Sequence, residues 1–185
     1  MQLKASRPTR IVTAMKRGLL LAALLLVPSL ALSQPFEFGI LGGKAESMED
    51  GFDFDFDQDL IEVFFAARVD EATMFRIKLG DTDMPFTTDG DPVNDGSLQY
   101  LTGEIEYQSH EIWGRSGIFA GPGVYRGKSS ATDVEETAFG LVGGVNTSVA
   151  LTRRLDILVE LAYHWANFEE DYTFISAAAG LKMSF

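Results

Sequence analysis

The chain has 185 residues, with 27 acidic against 15 basic side chains, two histidines and no cysteine. A formal net charge of −12 argues against a nucleic-acid partner, because phosphate binding needs the opposite sign. The missing cysteines exclude a disulfide scaffold and thiolate metal sites, so an exported domain of this size must be stabilised in some other way.

Residues 1–33 carry no acid. Lys4, Arg7, Arg10, Lys16 and Arg17 lead into the apolar run Gly18–Leu32, which closes on Ala31-Leu32-Ser33. A basic start, a short apolar stretch and a small-x-small site predict a secretory signal peptide. The segment has no adjacent Arg-Arg pair, so Sec rather than Tat export is expected. The competing reading, an N-terminal membrane anchor, needs about 20 apolar residues, more than this run supplies. Cleavage near Ser33 leaves residues 34–185 as one domain, holding all 27 acids and ten of the bases.

Eight strand-like stretches follow. The first is predicted at Phe36–Gly43, with a long connection through Asp57. The second, Asp59–Arg68, puts Ile61, Val63 and Phe65 on one face and Glu62, Phe64, Ala66 and Arg68 on the other. A tight turn over Val69-Asp70-Glu71-Ala72 leads to the third, Thr73–Gly80, where Phe75, Ile77 and Leu79 oppose Arg76 and Lys78. After a long connection come Ser97–Gln108, a short reversal near Ser109–Glu111, and Trp113–Tyr125. A long loop to Thr137 precedes Ala138–Leu151. A tight Thr152-Arg153 turn precedes Arg154–Ala166, where Leu155, Ile157, Val159, Leu161, Tyr163 and Trp165 share one face. The last strand, Thr173–Phe185, reads Ile175, Ala177, Ala179, Leu181, Met183, Phe185 on one side. Its other side is small or polar and includes Lys182.

No second apolar run approaches helix-spanning length, so a chain that crosses a membrane here must do so with strands. An even strand number with alternating long and short connections predicts an all-β fold: an eight-stranded antiparallel up-and-down transmembrane β-barrel behind a cleaved signal peptide. Parity alone leaves inside and outside interchangeable, so a soluble barrel or sandwich is the competing fold. Aromatics near strand ends (Tyr125, Tyr163, Trp165, Tyr172) favour the membrane, as an interfacial belt.

The terminal strand ending in Phe185, the Gly-rich stretches Gly121–Tyr125 and Gly140–Val145, and the eight-strand rhythm resemble the small bacterial outer-membrane β-barrel superfamily, the OmpA-like and OmpX-like membrane domains. The resemblance implies a Gram-negative outer-membrane location, contact with lipid and lipopolysaccharide, and Phe185 as the assembly signal. It also implies transient partnership with the barrel-assembly machinery and periplasmic chaperones, no cofactor, a monomer, and no appended wall-binding domain.

In such a barrel the charged face lines the lumen and needs partners. Counting up from the short-turn ends predicts Arg76 near Glu106, Lys78 near Glu104, and Lys182 near Asp156 and Glu37. Large inward groups such as Phe64 then block an open channel, since eight strands leave room only for side chains. A narrow porin-like ion path is the competing reading.

The outer connections are acidic. Asp53-Phe54-Asp55-Phe56-Asp57 puts Asp53, Asp55 and Asp57 on one face if extended, a weak candidate site for Ca²⁺ or a bridge to lipopolysaccharide phosphates. It is not an EF-hand, since Gln58 stands where that loop needs Gly and Phe64 where it needs Glu. A solvated strand extension is the plainer reading. No catalytic residue is assigned. Tyr163–Asn167 resembles the His-x-Ser-Asn stretch of outer-membrane lipid A deacylases, but Ala166 stands where the nucleophilic Ser belongs. His110 with Ser109 and Glu111, three neighbours on a predicted turn, makes a poor triad. The expected function is therefore non-enzymatic: a structural or adhesive surface barrel acting through acidic loops. A narrow pore or lipid-binding barrel and a lipid A-modifying enzyme are the alternatives.

Overall fold

The described residues form ten strands, the eight longer ones built on alternation of apolar and polar residues. They are β1 (Phe36–Ser47), β2 (Gln58–Arg68), β3 (Thr73–Thr82), β4 (Phe86–Thr88), β5 (Asp91–Val93), β6 (Gly96–Glu111), β7 (Gly114–Ser129), β8 (Glu135–Ala150), β9 (Leu155–Asn167) and β10 (Asp171–Ser184). The computed structural model describes residues 35–48, 56–84, 86–88, 91–93, 96–111, 114–129, 135–168 and 171–185. The expected signal peptide lies outside the described residues, and no helix occurs among them.

Eight of the strands close into an antiparallel barrel in the order β1-β10-β9-β8-β7-β6-β3-β2. Every neighbour in the wall is the next barrel strand in sequence, and β1 pairs with β10 to close the ring. The remaining pair, β4 and β5, forms a small hairpin within the β3–β6 connection, which the strand pattern did not anticipate. Following Cα partners around the wall from Phe36 through Ala67, Phe75, Ile105, Ala120, Gly143, Tyr163 and Ile175 returns to β1 at Glu46, ten residues further on. That stagger obliges the strands to tilt against the barrel axis.

Strands run further than their apolar stretches. β1 continues to Ser47, β7 to Ser129, and β6 to Glu111, which pairs with Gly114. Backbone pairing is indifferent to side-chain polarity, so the ladder continues where the apolar face stops. Ser109, His110 and Glu111 therefore belong to β6 and not to a turn. The two described short turns are held by side chains. Asp70 Oδ1 accepts from the amides of Ala72 and Thr73 at 2.9 and 2.8 Å. Thr152 Oγ1 accepts from those of Arg154 and Leu155 at 3.2 and 3.1 Å.

One rung of the wall is missing. Between the pairs Thr102↔Gly123 and Ile105↔Ala120, the residues Gly103 and Glu104 have no partner on β7, although both pair with β3. Pro122 lies opposite and brings no N–H to the ladder.

The faces sort by polarity with the charges inside. Arg76, Lys78, Glu104, Glu160 and Lys182 are buried, Arg76 to 1% exposure. Phe139 is 79%, Phe185 55% and Val159 48% exposed on the outer wall. Tyr163 also faces outward, whereas Tyr125 and Tyr172 are buried in the lumen and are no part of an outer aromatic belt. Both share parity with inward neighbours, Tyr125 with Gly123 and Tyr172 with Phe174, and the upper lumen needs their volume.

Candidate functional site

The lumen is stacked in layers. At the short-turn end, Lys182 Nζ lies 3.1 Å from Glu37 and 3.7 Å from Asp156, and Arg115 bridges the same two acids at 3.1 and 2.7 Å. Two cations face two carboxylates, and each is shared.

Above this, Arg76 on β3 donates from Nε to Glu104 Oε2 at 2.6 Å and from Nη1 to Glu160 Oε2 at 2.7 Å, with Glu106 at 3.5 Å. Lys78 pairs with Glu160, with Glu62 at 3.4 Å and with Glu104 at 3.6 Å. Thr102 Oγ1 donates to Glu104 and Gln108 Nε2 to Glu106, while Phe119 stacks under the Arg76 guanidinium at 4.2 Å. Four carboxylates thus surround two cations in a buried layer. Lys78 Nζ lies among three of these carboxylates, those of Glu62, Glu104 and Glu160. No cluster of metal-ligating geometry occurs among the described residues.

The anticipated pairs all lie inside the lumen, but with shifted emphasis. Arg76 stands directly opposite Glu104, and Glu106 stands opposite Met74. Glu62, Glu160 and Arg115 complete the network although no pairing had been assigned to them. Glu160 reaches Arg76 and Lys78 across the lumen from β9, a contact that neighbour-strand reasoning does not contain. The inward parity of Glu160 was its only signal.

The loop-end half is aromatic. His164 is fully buried, stacked on Phe174 with ring centroids 4.2 Å apart and beside Tyr100 at 4.9 Å. Its Nδ1 lies 3.1 Å from the Tyr125 hydroxyl and its Nε2 3.4 Å from Ser176 Oγ. Tyr100 joins the two halves by donating to Glu62 Oε1. Leu41, Leu98 and Met84 pack in the same apolar cluster. Two large groups nest on glycines. A Cβ at Gly39 would lie 2.2 Å from the Phe64 ring, and one at Gly80 2.1 Å from Tyr100. Phe64 is buried inside, as its parity predicts.

Chemistry finds little room here. Ser176 and His164 are the two residue types of a nucleophile–base pair, but both are buried and His164 is stacked on Phe174. Ala166 is fully buried too. A concavity of about 450 Å³ opens on the outer wall, among Ile61, Leu79, Leu101 and Val124 with Asp81 and Arg126. Of the candidate Ca²⁺ ligands, Asp53 and Asp55 lie outside the described residues, and Asp57 is exposed and accepts from Gln58 at 2.9 Å. Phe56 has a φ of 42°, so the alternation of an extended strand does not carry through to Asp57. The His110 side chain likewise lies outside the described set.

Neither a protein-family model nor a curated protein sequence matches the chain. Solved structures do. The crystal structure of Neisserial surface protein A superposes with a TM-score of 0.63 at 14% identity, covering 82% of this chain and 97% of that one. Ail, the attachment invasion locus protein of Yersinia pestis, solved with the heparin analogue sucrose octasulfate, gives 0.56 at 12%, covering 83% and 100%. The N-terminal β-barrel domain of Pseudomonas aeruginosa OprF gives 0.55 at 13%, covering 82% and 97%. The fold is that of the eight-stranded outer-membrane barrels.

Proposed function

We propose that the mature chain is an integral barrel of a bacterial outer membrane, reached by Sec export and signal-peptide cleavage. In this reading it catalyses no reaction and acts through its acidic loop end, with the short turns in the periplasm. The observation that carries this reading is the inverted polarity of the wall. Val159, Phe139 and Phe185 are exposed while Arg76 and Lys78 are buried, an arrangement stable only where the outside is hydrocarbon. Outer-leaflet lipid and lipopolysaccharide are then its surroundings, and the assembly machinery and its chaperones its transient partners.

The acids of the outer connections point to a basic protein surface or to cations as what the loops meet. A polyanion such as the one bound by Ail would be repelled by them. The packed lumen argues against a pore. The burial of Ser176, His164 and Ala166 argues against acyl transfer.

The test is fractionation with gel mobility before and after boiling, followed by planar-bilayer recording. The reading expects an SDS-resistant membrane species that shifts on boiling, with no conductance at any voltage. Recovery as a soluble periplasmic protein sinks the membrane part, and reproducible channels sink the closed lumen. Converting Asp53, Asp55 and Asp57 to Asn should weaken adsorption of the folded barrel to a polylysine surface. Unchanged adsorption removes that loop from the surface role.

A further inference from the structure

The concavity of about 450 Å³ on the outer wall takes no part in the lumen chemistry. It crosses four neighbouring strands, with Ile61 on β2, Leu79 on β3, Leu101 on β6 and Val124 on β7 as its apolar part. Two positions towards the loops from each of these stands an outward polar residue: Asp59, Asp81, Gln99 and Arg126. Towards the short turns the groove stays open at Gly103, where an added Cβ would meet nothing nearer than the Phe75 ring at 3.9 Å. The groove thus runs from the apolar wall up to a polar ring at the loop end. An apolar slot open along its side, in a wall that faces hydrocarbon, fits an acyl chain.

The charges of the ring decide what head that chain carries. Lys44 pairs with Asp59 at 2.8 Å, and Arg126 Nη2 pairs with Glu135. Asp81 receives on Oδ2 the neutral amide of Gln99 at 3.1 Å, and among the described residues no cation pairs with it. Arg126 Nε also has no partner. Gln99 is the Cα partner of both Asp81 and Arg126, so carboxylate and guanidinium stand two strands apart, about 10 Å at the backbone. Both residues line the concavity. A headgroup with an ammonium a few ångströms from a phosphate spans such a pair in one orientation, its ammonium at Asp81 and its phosphate at Arg126. A purely anionic head would meet the Asp81 carboxylate with no cation of its own, and a trimethylated amine has no N–H to donate to it.

We infer that this groove seats one aminophospholipid, with a chain over Leu79 and Leu101, its primary ammonium donating to Asp81 and its phosphate accepting from Arg126. The inference rests on the membrane reading above, and its test separates the two.

The chain has no cysteine, so a single introduced cysteine carries a fluorophore without background. Ile77→Cys puts the label two positions below Leu79, and Val159→Cys puts it on β9, across the barrel from β3. Each labelled barrel is folded into phosphatidylcholine vesicles holding a minor share of brominated phosphatidylethanolamine, phosphatidylglycerol or phosphatidylcholine, and quenching is compared. The inference expects the label at 77 to be quenched several-fold more by the brominated ethanolamine lipid than by the other two, and the label at 159 equally by all three. Asp81→Asn, whose folding is checked by its gel shift on boiling, should abolish the preference at 77. Leu101→Trp, which fills the slot from outside, should weaken it. If no brominated lipid quenches either label, the membrane assignment fails. If both labels are quenched and the one at 77 shows no preference, or prefers the glycerol lipid, only the lipid site is overturned. A preference that survives Asp81→Asn overturns the assignment of the ammonium to that carboxylate.

Discussion

The lower and upper halves of the lumen solve the same filling problem with opposite chemistry. Around Arg76 and Lys78 the space is filled by charges that satisfy one another, each cation shared among several carboxylates. Around His164 it is filled by stacked rings and a few hydroxyls. A charge network is only as good as its most poorly matched member, because removing one ion leaves another buried and unpaired. A ring stack loses little more than the volume deleted. The halves should therefore fail differently under mutation.

The sharpest break is Arg76→Ala. It strands Glu104 and Glu160, and should cost about 3–5 kcal/mol, read from urea midpoints of the barrel folded in vesicles. Adding Glu160→Gln to that variant should recover part of the loss; strict additivity of the two would contradict a shared network. In the aromatic half, Phe174→Ala should cost about 3 kcal/mol in the same assay. Gly80→Ala tests the nested packing between the halves. A methyl 2.1 Å from the Tyr100 ring forces a shift, and the expected loss is on the order of 2 kcal/mol. Tyr125→Phe leaves His164 Nδ1 without its hydroxyl partner and should cost about 1 kcal/mol.

The smallest effect lies outside both halves. The Ala72 amide, with Thr73, holds the Asp70 carboxyl below the usual carboxylate range. Its contribution is present above that usual range and fades as pH falls through the lowered value. The Asp70→Ala variant should lack this part of the acid dependence, seen as a slightly flatter stability profile at low pH and a slightly lower plateau at neutral pH.

Much of the wall was legible beforehand because a strand's two-residue period writes inside and outside directly into the chain. Phe75, Ile77 and Leu79 against Arg76 and Lys78 needed no coordinates. What period two cannot convey is which residues meet across an open cylinder. Glu160 reaching Arg76 from β9, and Arg115 bridging Glu37 to Asp156, depend on the ten-residue stagger and on side-chain length. Tyr125 and Tyr172 were misplaced for a related reason. Their position near strand ends suggested an interfacial role, while their parity had already put them inside. The β4–β5 hairpin is two strands of three residues, too short for alternation to register.

Pro122 leaves a mark that neither half of the lumen accounts for. Among the described residues the β6–β7 ladder is interrupted beside Pro122, next to Glu104 of the ion network. Thermal breathing will concentrate there, much as a zip parts at a damaged tooth. Slow deuterium uptake should therefore spread outward along β6 and β7 from Gly103 and Gly121 before it reaches the sealed seam between β1 and β10.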